Sequence, residues 1–453
     1  MKARCVRLKD VFSSMRFDGG YHNADVNVYD KVIRKHSQHT LDYYCSDIFT
    51  SGRTKRVYTE PEYGYPFLSN ADVVSANPFQ SCKYSSKKYG FDPNAVLKEG
   101  MILTGRVGAI GQTAFVPAFI EKAKAMGSDN IIRIVVKPSY KNGFIYAYLA
   151  SKMGNLAFWK LATGGVQPFI TDVMVGKLPI PFFPESFQAE VDDLVQESAR
   201  LREEANDKLE EAIHLFEDSI SSKEIFLGTQ SATISSKQIS SRFNRFDSQY
   251  QIGKMLLTES MKGQNTIKIG DVKKMIFIGN RGKRHYVEKN GIPFLSSSDM
   301  ILSNPSRFCK MISKNTPGLK GLLVNEGDIL ISRSGTVGNT IMVNQALSGF
   351  AVSEHAMRLV VDDQKIEPEY VYTYLKTEQG QNALQILPYG SVIVTLGEDY
   401  LADVDLPVIK DVAKRKIVDL VKVYNNDLAI SIEKENKAIK KIEDEIEKWN
   451  KAN

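Results

Sequence analysis

Cysteine is scarce in this chain and does not cluster. Cys5, Cys45, Cys82 and Cys309 are the only four in 453 residues, and no two have the spacing of a metal site or a disulfide framework. The six histidines are equally scattered. These absences argue against a zinc-built or disulfide-stapled scaffold and make a reducing cytoplasm the expected compartment. No apolar run reaches the roughly 18 residues of a membrane span. The opening residues, Met1-Lys2-Ala3-Arg4-Cys5-Val6-Arg7, lack the apolar core of a signal peptide. There is no phosphate loop of the Gly-x-x-x-x-Gly-Lys-Ser/Thr kind, no Gly-x-Gly-x-x-Gly and no His-Glu-x-x-His. Nor is there a nuclease-like set of carboxylates with a lysine, so the chain is expected not to be an enzyme and to hold neither metal nor cofactor.

What is present is enough apolar residue, 43%, for real cores, and a net charge of +6. A chain this long is expected to form more than one domain. The mild basic balance is compatible with nucleic acid without requiring it.

The organisation comes from an internal repeat. Residues 1–228 and 229–453 match at an offset of 225–229. Met15-Arg16-Phe17-Asp18-Gly19-Gly20-Tyr21 returns as Asn244-Arg245-Phe246-Asp247-Ser248-Gln249-Tyr250. The basic block Arg53-Thr54-Lys55-Arg56-Val57-Tyr58 returns as Arg281-Gly282-Lys283-Arg284-His285-Tyr286. GYPFLSNADVVSANPFQSCK at 64–83 returns as GIPFLSSSDMILSNPSRFCK at 291–310, and EGMILTGRVGAIGQTAFV at 99–116 as EGDILISRSGTVGNTIMV at 326–343. A period this long is a duplicated domain, not a solenoid unit.

Each copy has two parts. The first is rich in short β-type runs, among them Ile131–Val136, Leu322–Val324, Asp328–Ser332 and Arg358–Val361. The second keeps helical spacing of apolar residues. Val191, Leu194, Val195, Leu201, Ala205, Leu209, Ala212 and Phe216 form one stripe, with no Gly or Pro between Glu185 and Ser222. Ile417, Leu420, Val421, Tyr424, Leu428, Ile432, Ile439, Ile442 and Ile446 form the other. The dipeptides Leu178-Pro179 and Leu406-Pro407 precede the two stripes. The expected fold class is α+β. Globular domains at 1–183 and 229–407 are each followed by a helical spacer, at 184–228 and 408–453, and the two helices pair as an antiparallel coiled coil. A helix of about 35 residues is roughly 50 Å long.

Charge is divided between these parts. Residues 184–218 carry twelve acids and three bases, net −9, while 410–453 carry eleven bases and nine acids, net +2. Everything else therefore carries +13, so the globular parts are the expected nucleic-acid surface.

The basic block is the main candidate. Arg53, Lys55, Arg56 and Tyr58, and likewise Arg281, Lys283, Arg284, His285 and Tyr286, put cations and an aromatic just before a strand-like run. Phosphates attract cations, and guanidinium reads guanine with two hydrogen bonds. One such loop is most simply a solvated surface; its recurrence at the same point favours contact. In the Gly-punctuated blocks the glycines read as hairpin turn residues. Arg106 and Arg333 either touch DNA or cap their own loop, and Gln112 and Asn339 follow on the same turns. Ser69, Asn70, Ser296 and Ser297 are candidate base readers, with loop capping the simpler reading for any single one. Where the copies differ, as Val57 against His285 and Gln112 against Asn339, two different half-sites would be read. Asn77-Pro78-Phe79 is one proline short of an adenine-methyltransferase loop, and its copy Asn304-Pro305-Ser306 loses the aromatic, so both read as plain turns.

Two diverged domains of this size, each with a long helix, resemble the specificity subunit of Type I restriction-modification systems. The resemblance spans the chain. It is sharpest at Gly291–Asp299, at Glu326–Gly338 and at the helices containing Asp193-Leu194-Val195 and Asp419-Leu420-Val421. It implies a bipartite, asymmetric duplex DNA target, one half per domain, with the helices as a ruler. It also implies two partner modification subunits, adenine N6-methyltransferases that carry S-adenosylmethionine and flip their base. An ATP-dependent translocase/endonuclease subunit is a further candidate partner. The helix positions implied for partner binding are Val191, Leu194, Val195, Leu201, Leu420, Val421, Leu428 and Ile432. The other readings are a recognition subunit of a methylation-only defence system and a protein scaffold with no DNA role.

Overall fold

A computed structural model describes residues 5–19, 21–22, 24–53, 55–220, 231–307, 309–335, 337–390 and 394–452. Gly20, Thr54, Phe308 and Thr336 of the repeated blocks lie outside the described residues, as does the expected boundary at 228/229. The chain divides into two compact units, Met1–Glu203 with Ser431–Asn453, and Glu204–Ile430.

In the first unit the strands run β1 (Ser37–Thr40), β2 (Cys45–Thr50), β3 (Tyr58–Thr59), β4 (Gly64–Leu68), β5 (Lys83–Ser86), β6 (Ile102–Gly105), β7 (Thr113–Phe115), β8 (Met126–Gly127), β9 (Ile131–Val136) and β10 (Pro179–Pro181). They form a sheet of order β2-β9-β6-β7, a second of order β3-β5-β4-β8, and the pair β1-β10. The β9 sequence, Ile-Ile-Arg-Ile-Val-Val, is an almost unbroken β-branched run, as a strand with neighbours on both sides requires. The helix Asn142–Ala150 buries every residue from Gly143 to Ala150 behind this sheet.

In the second unit the strands are β11 (Thr266–Lys268), β12 (Lys273–Ile278), β13 (Tyr286–Val287), β14 (Ile292–Leu295), β15 (Lys310–Ile312), β16 (Ile329–Ser332), β17 (Thr340–Met342), β18 (Ala351–Val352), β19 (Ala356–Val361) and β20 (Asp405–Pro407). Their orders, β12-β19-β16-β17, β13-β15-β14-β18 and β11-β20, repeat those of the first unit strand for strand. In both, the last two strands of the second sheet run parallel, β4 with β8 and β14 with β18. The duplication read from sequence is a duplication of topology.

One expected strand is corrected. Leu322–Val324 is not a strand: Leu319–Leu322 is a helical turn, and Leu323 makes an isolated bridge to Ala351. A run of three apolar residues has too little length to distinguish the two states, and here its burial comes from packing under Phe294 and Ile312. The Gly-punctuated blocks do form hairpins, β6 with β7 and β16 with β17. Gly108, Gly111, Gly335 and Gly338 sit at φ of +79°, +78°, +77° and +95°, where a side chain would be strained.

The long helices are Glu185–Ser219 and Asp411–Ala452. Their stripes are buried in two separate cores. In the first unit Val191 and Val195 join Ala438, Ile439, Ile442 and Ile446. There Ser198 Oγ donates to the Ser431 carbonyl at 2.8 Å, and Ser431 Oγ to that of Ser198 at 2.9 Å. Arg202 meets Glu435 at 2.9 Å and Lys441 meets Glu190 at 2.9 Å. In the second unit Ala205, Leu209, Ala212 and Phe216 join Ile417, Val418, Val421 and Tyr424, and Lys416 meets Glu211 at 3.0 Å. Among the described residues no helix is long and apolar enough to cross a membrane.

All four cysteines are free. Burial pushes the Cys45 thiol up to about 12 and those of Cys82 and Cys309 up to about 11, so all three are protonated at neutral pH.

Phe216 has no exposed surface and lies 5.0 Å from the Tyr370 ring and 5.8 Å from that of Tyr374. Phe216→Ala is expected to lower stability by about 3–5 kcal/mol, read as a drop in the urea midpoint. A change below about 1 kcal/mol would contradict the packing of this stripe.

Candidate nucleic-acid interface

The basic loop of the first unit leads into β3, at the edge of the smaller sheet. Its end is sealed by the Val57 carbonyl, which accepts from Ser86 N–H at 2.8 Å. Its cations are then sorted by one carboxylate. Asp129, whose side chain is 8% exposed, takes Arg53 Nε at 3.1 Å and Arg56 Nη2 at 2.6 Å. Arg56 also lies over the Phe67 ring, 5.3 Å from its centre. Lys83, at the start of β5, sits 4.7 Å over the exposed Tyr58 ring. Arg53, Lys55, Arg56 and Lys83 against Asp129 leave this cluster at +3.

The second unit builds the same cluster with a different balance. The His285 carbonyl accepts from Ser313 N–H at 2.7 Å. Glu354 takes the position of Asp129 and meets Arg284 Nη2 at 3.5 Å. The Arg284 guanidinium lies 5.6 Å from the centre of the Phe294 ring, and Lys310 lies 5.3 Å over Tyr286. Arg281, Lys283, Arg284 and Lys310 against Glu354 again leave +3. Arg284 faces inward: its side chain is 9% exposed, and Nη2 also donates to the Asn280 carbonyl at 2.6 Å. The outward cations of this loop are Arg281 and Lys283, which are exposed.

The acid is the junction of the site. Asp129-Asn130 and Glu354-His355 come just before β9 and β19. The Asn130 carbonyl accepts from Arg106 N–H at 2.8 Å, and the His355 carbonyl from Arg333 N–H at 2.9 Å. Basic loop and Gly-hairpin therefore meet at one dipeptide in each unit. Asn70 Nδ2 adds a bond to the Val107 carbonyl at 3.0 Å, bringing in the loop after β4.

A buried arginine holds the dipeptide in place. Arg133 of β9 has no exposed surface and donates to the carbonyls of Gly127 at 2.5 Å, Ile131 at 2.9 Å, Ala95 at 3.2 Å and Ser128 at 3.4 Å. Burial lowers its pKa to about 10, opposed by Asp92 and Asp129, and it stays charged at neutral pH. Arg358 of β19 donates to the carbonyls of Leu323 and Gly321 and lies 3.9 Å from Asp328.

A family described as the Type I restriction modification DNA specificity domain matches residues 261–443. The second half of the chain is therefore similar to a Type I DNA specificity domain. No curated protein sequence matches the chain. Among solved structures it is similar to a Type I restriction-modification S subunit from M. genitalium, at 14% identity over 91% of this chain and 94% of that one, with a TM-score of 0.32. It is also similar to an HsdS subunit from Thermoanaerobacter tengcongensis, at 15% identity over 90% and 95%, with a TM-score of 0.29. At these TM-scores the superpositions do not establish a shared arrangement.

The other candidate residues fall into place around the two junctions. Ser69 and Ser296 bond Asp72 and Asp299 through backbone and hydroxyl, the loop-capping arrangement. Ser297 is half-buried beside them. Arg333 Nε caps the Leu396 carbonyl at 3.2 Å. The Arg106 guanidinium has no protein hydrogen bond or ion pair among the described residues. Gln112 N–H closes its own turn onto Ala109, and Asn339 N–H bonds Ser332 Oγ at 3.1 Å. On the helices, Val191, Val195, Leu201, Val421 and Ile432 are buried, and Leu194, Leu420 and Leu428 pack against the cores. A partner docking on the helices therefore meets their outer faces.

Sequence reasoning passed over Lys83, Lys310 and the two dipeptides. The signal was there, since Ser128-Asp129-Asn130 returns as Ser353-Glu354-His355 at an offset of 225, each followed by a strand containing an arginine. Among the described residues no group of three His, Cys, Asp or Glu could hold a metal ion.

Replacing Lys283 and Lys310 together by Ala is expected to leave thermal unfolding unchanged. It should flatten the slope of log K against log salt for duplex DNA by about 1.8, some 0.9 per lost phosphate contact. An unchanged slope in a binding titration would remove this loop from the interface.

Proposed function

We propose that this chain is the non-catalytic reader of a bipartite, asymmetric DNA target and that it positions partner subunits on that target. The observation that carries the reading is the double occurrence of one constellation. An acid-pinned arginine, a lysine over a tyrosine and a net +3 recur in both units, while the residues set around them differ. Equal phosphate-facing charge suits two stretches of the same duplex, and unequal neighbours suit two different sequences. Recognition domains at 1–183 and 229–407, with helical spacers at 184–228 and 408–453, are the corresponding division of labour.

The spacers act as an antiparallel pair. This reading is supported within the first unit by contacts that step from Glu190–Lys441 to Ser198–Ser431, and within the second by the contact of Glu211 with Lys416. The acidic central helix, net −9, finds bases on the C-terminal one. Two adenine N6-methyltransferase subunits bring S-adenosylmethionine and the chemistry, a translocase/endonuclease subunit adds restriction, and the complex works in the cytoplasm. These partners and their cofactor are what the resemblance to that family implies.

The ruler can be lengthened. Seven residues of helical sequence inserted after Glu203, matched by seven after Ile430, add about 10 Å, or roughly three base pairs. Methylation by the complex should then require a gap about three base pairs longer between unchanged half-sites. Retention of the original gap would contradict the ruler.

A further inference from the structure

We infer that His355 in the second unit and Asn130 in the first each read a base edge, and that this one position sets part of the difference between the two half-sites. The inference rests on the proposed reading of a two-part DNA target. Both residues occupy the same place in the duplicated fold, directly after the acid that pins the basic loop and directly before the central strand. Both give their backbone carbonyl to the arginine of the Gly-hairpin. Each therefore stands where the two cationic loops of its unit meet, and each is half-buried, held on one side and open on the other.

Their side chains are not needed for the fold in the usual way. The Asn130 carboxamide has no protein partner among the described residues. His355 makes a single side-chain hydrogen bond, between Nδ1 and Ser334 Oγ at 2.6 Å, and its side chain remains 46% exposed. Glu354 Oε1 lies 3.9 Å from Nε2, too far for a hydrogen bond, so that nitrogen is left for an outside partner. In the tautomer in which Ser334 donates to Nδ1, Nε2–H is a donor without a protein hydrogen-bond partner among the described residues. The first unit has Val107 where the second has Ser334, so Asn130 keeps both its donor and its acceptor.

The chemistry of the two readers follows. A single N–H donor suits an acceptor edge, as guanine presents with N7 and O6. A carboxamide offering donor and acceptor together suits adenine N6 and N7. The ring is oriented by Ser334 and the carboxamide is not, so His355 is the more rigid of the two.

The test uses the full chain assembled with its modification methyltransferase, on duplexes in which each base pair of the target is substituted in turn. His355→Ala should reduce discrimination at one base pair of one half-site roughly tenfold or more. His355→Asn should move the preference at that base pair toward adenine, and Asn130→His should move one base pair of the other half-site toward guanine. Ser334→Ala, which releases the ring without removing it, should have a smaller effect at the same base pair as His355→Ala. Affinity for random-sequence duplex should stay unchanged throughout, which separates reading from folding. Unaltered preference at every position in both His355 variants would overturn the inference while leaving the two-part reading intact, as would a loss spread evenly over both half-sites. A wild-type complex with no two-part preference would overturn the reading and the inference together.

Discussion

One carboxylate in each half ties a surface loop to the central sheet, and the geometry of the candidate interface depends on it. Asp129 and Glu354 sit at the entrance to the strand that has neighbours on both sides. From there they reach an arginine 73 or 70 residues earlier in the chain. A loop of three cations would otherwise repel itself and sample many conformations. Pinned by an acid, it presents part of its charge in a fixed place. The acid is itself held, because Arg133 and Arg358 behind it spend their donors on backbone carbonyls of the same region. The result is a series of polar contacts running from core to surface, of the kind that fixes orientation as well as charge.

The same device in two copies explains how one chain can be both regular and asymmetric. The strand orders are identical, the hairpins turn on the same glycines, and the cation–aromatic contacts recur, at 5.3 and 5.6 Å for arginine and at 4.7 and 5.3 Å for lysine. These are the parts that a uniform phosphate backbone would meet. The junction itself differs between the copies: aspartate against glutamate, asparagine against histidine, valine against serine. The glutamate reaches its arginine with one contact where the aspartate holds two, so the first loop is anchored at both ends of its basic block and the second at one.

Much of this was legible in the residues. The long central helix, Glu185–Ser219, falls inside the stretch free of Gly and Pro, and β9 has the bounds that its β-branched run implies. The hairpins were legible because glycine at positive φ is a local requirement that leaves a local mark. What could not be read was which way a cation faces. Arg284 lies in a block of surface character and yet turns inward, because its partner Glu354 is distant in sequence and looks there like any other acid. The same holds for the stripes. Their periodicity announces burial, but which residues of the other helix cover Val195 or Phe216 depends on a register that only the folded chain supplies. Leu322–Val324 failed for a simpler reason, being too short for its pattern to choose between turn and strand.

The central claim is that two similar but unequal readers share one chain. The most direct measurement is a map of N6-methyladenine in the DNA of cells that express this chain with the modification methyltransferase proposed as its partner. The account predicts methylation at a motif of two different short sequences separated by a fixed number of unspecified base pairs. Methylation at a single undivided motif, or none above background with both proteins present, would contradict it.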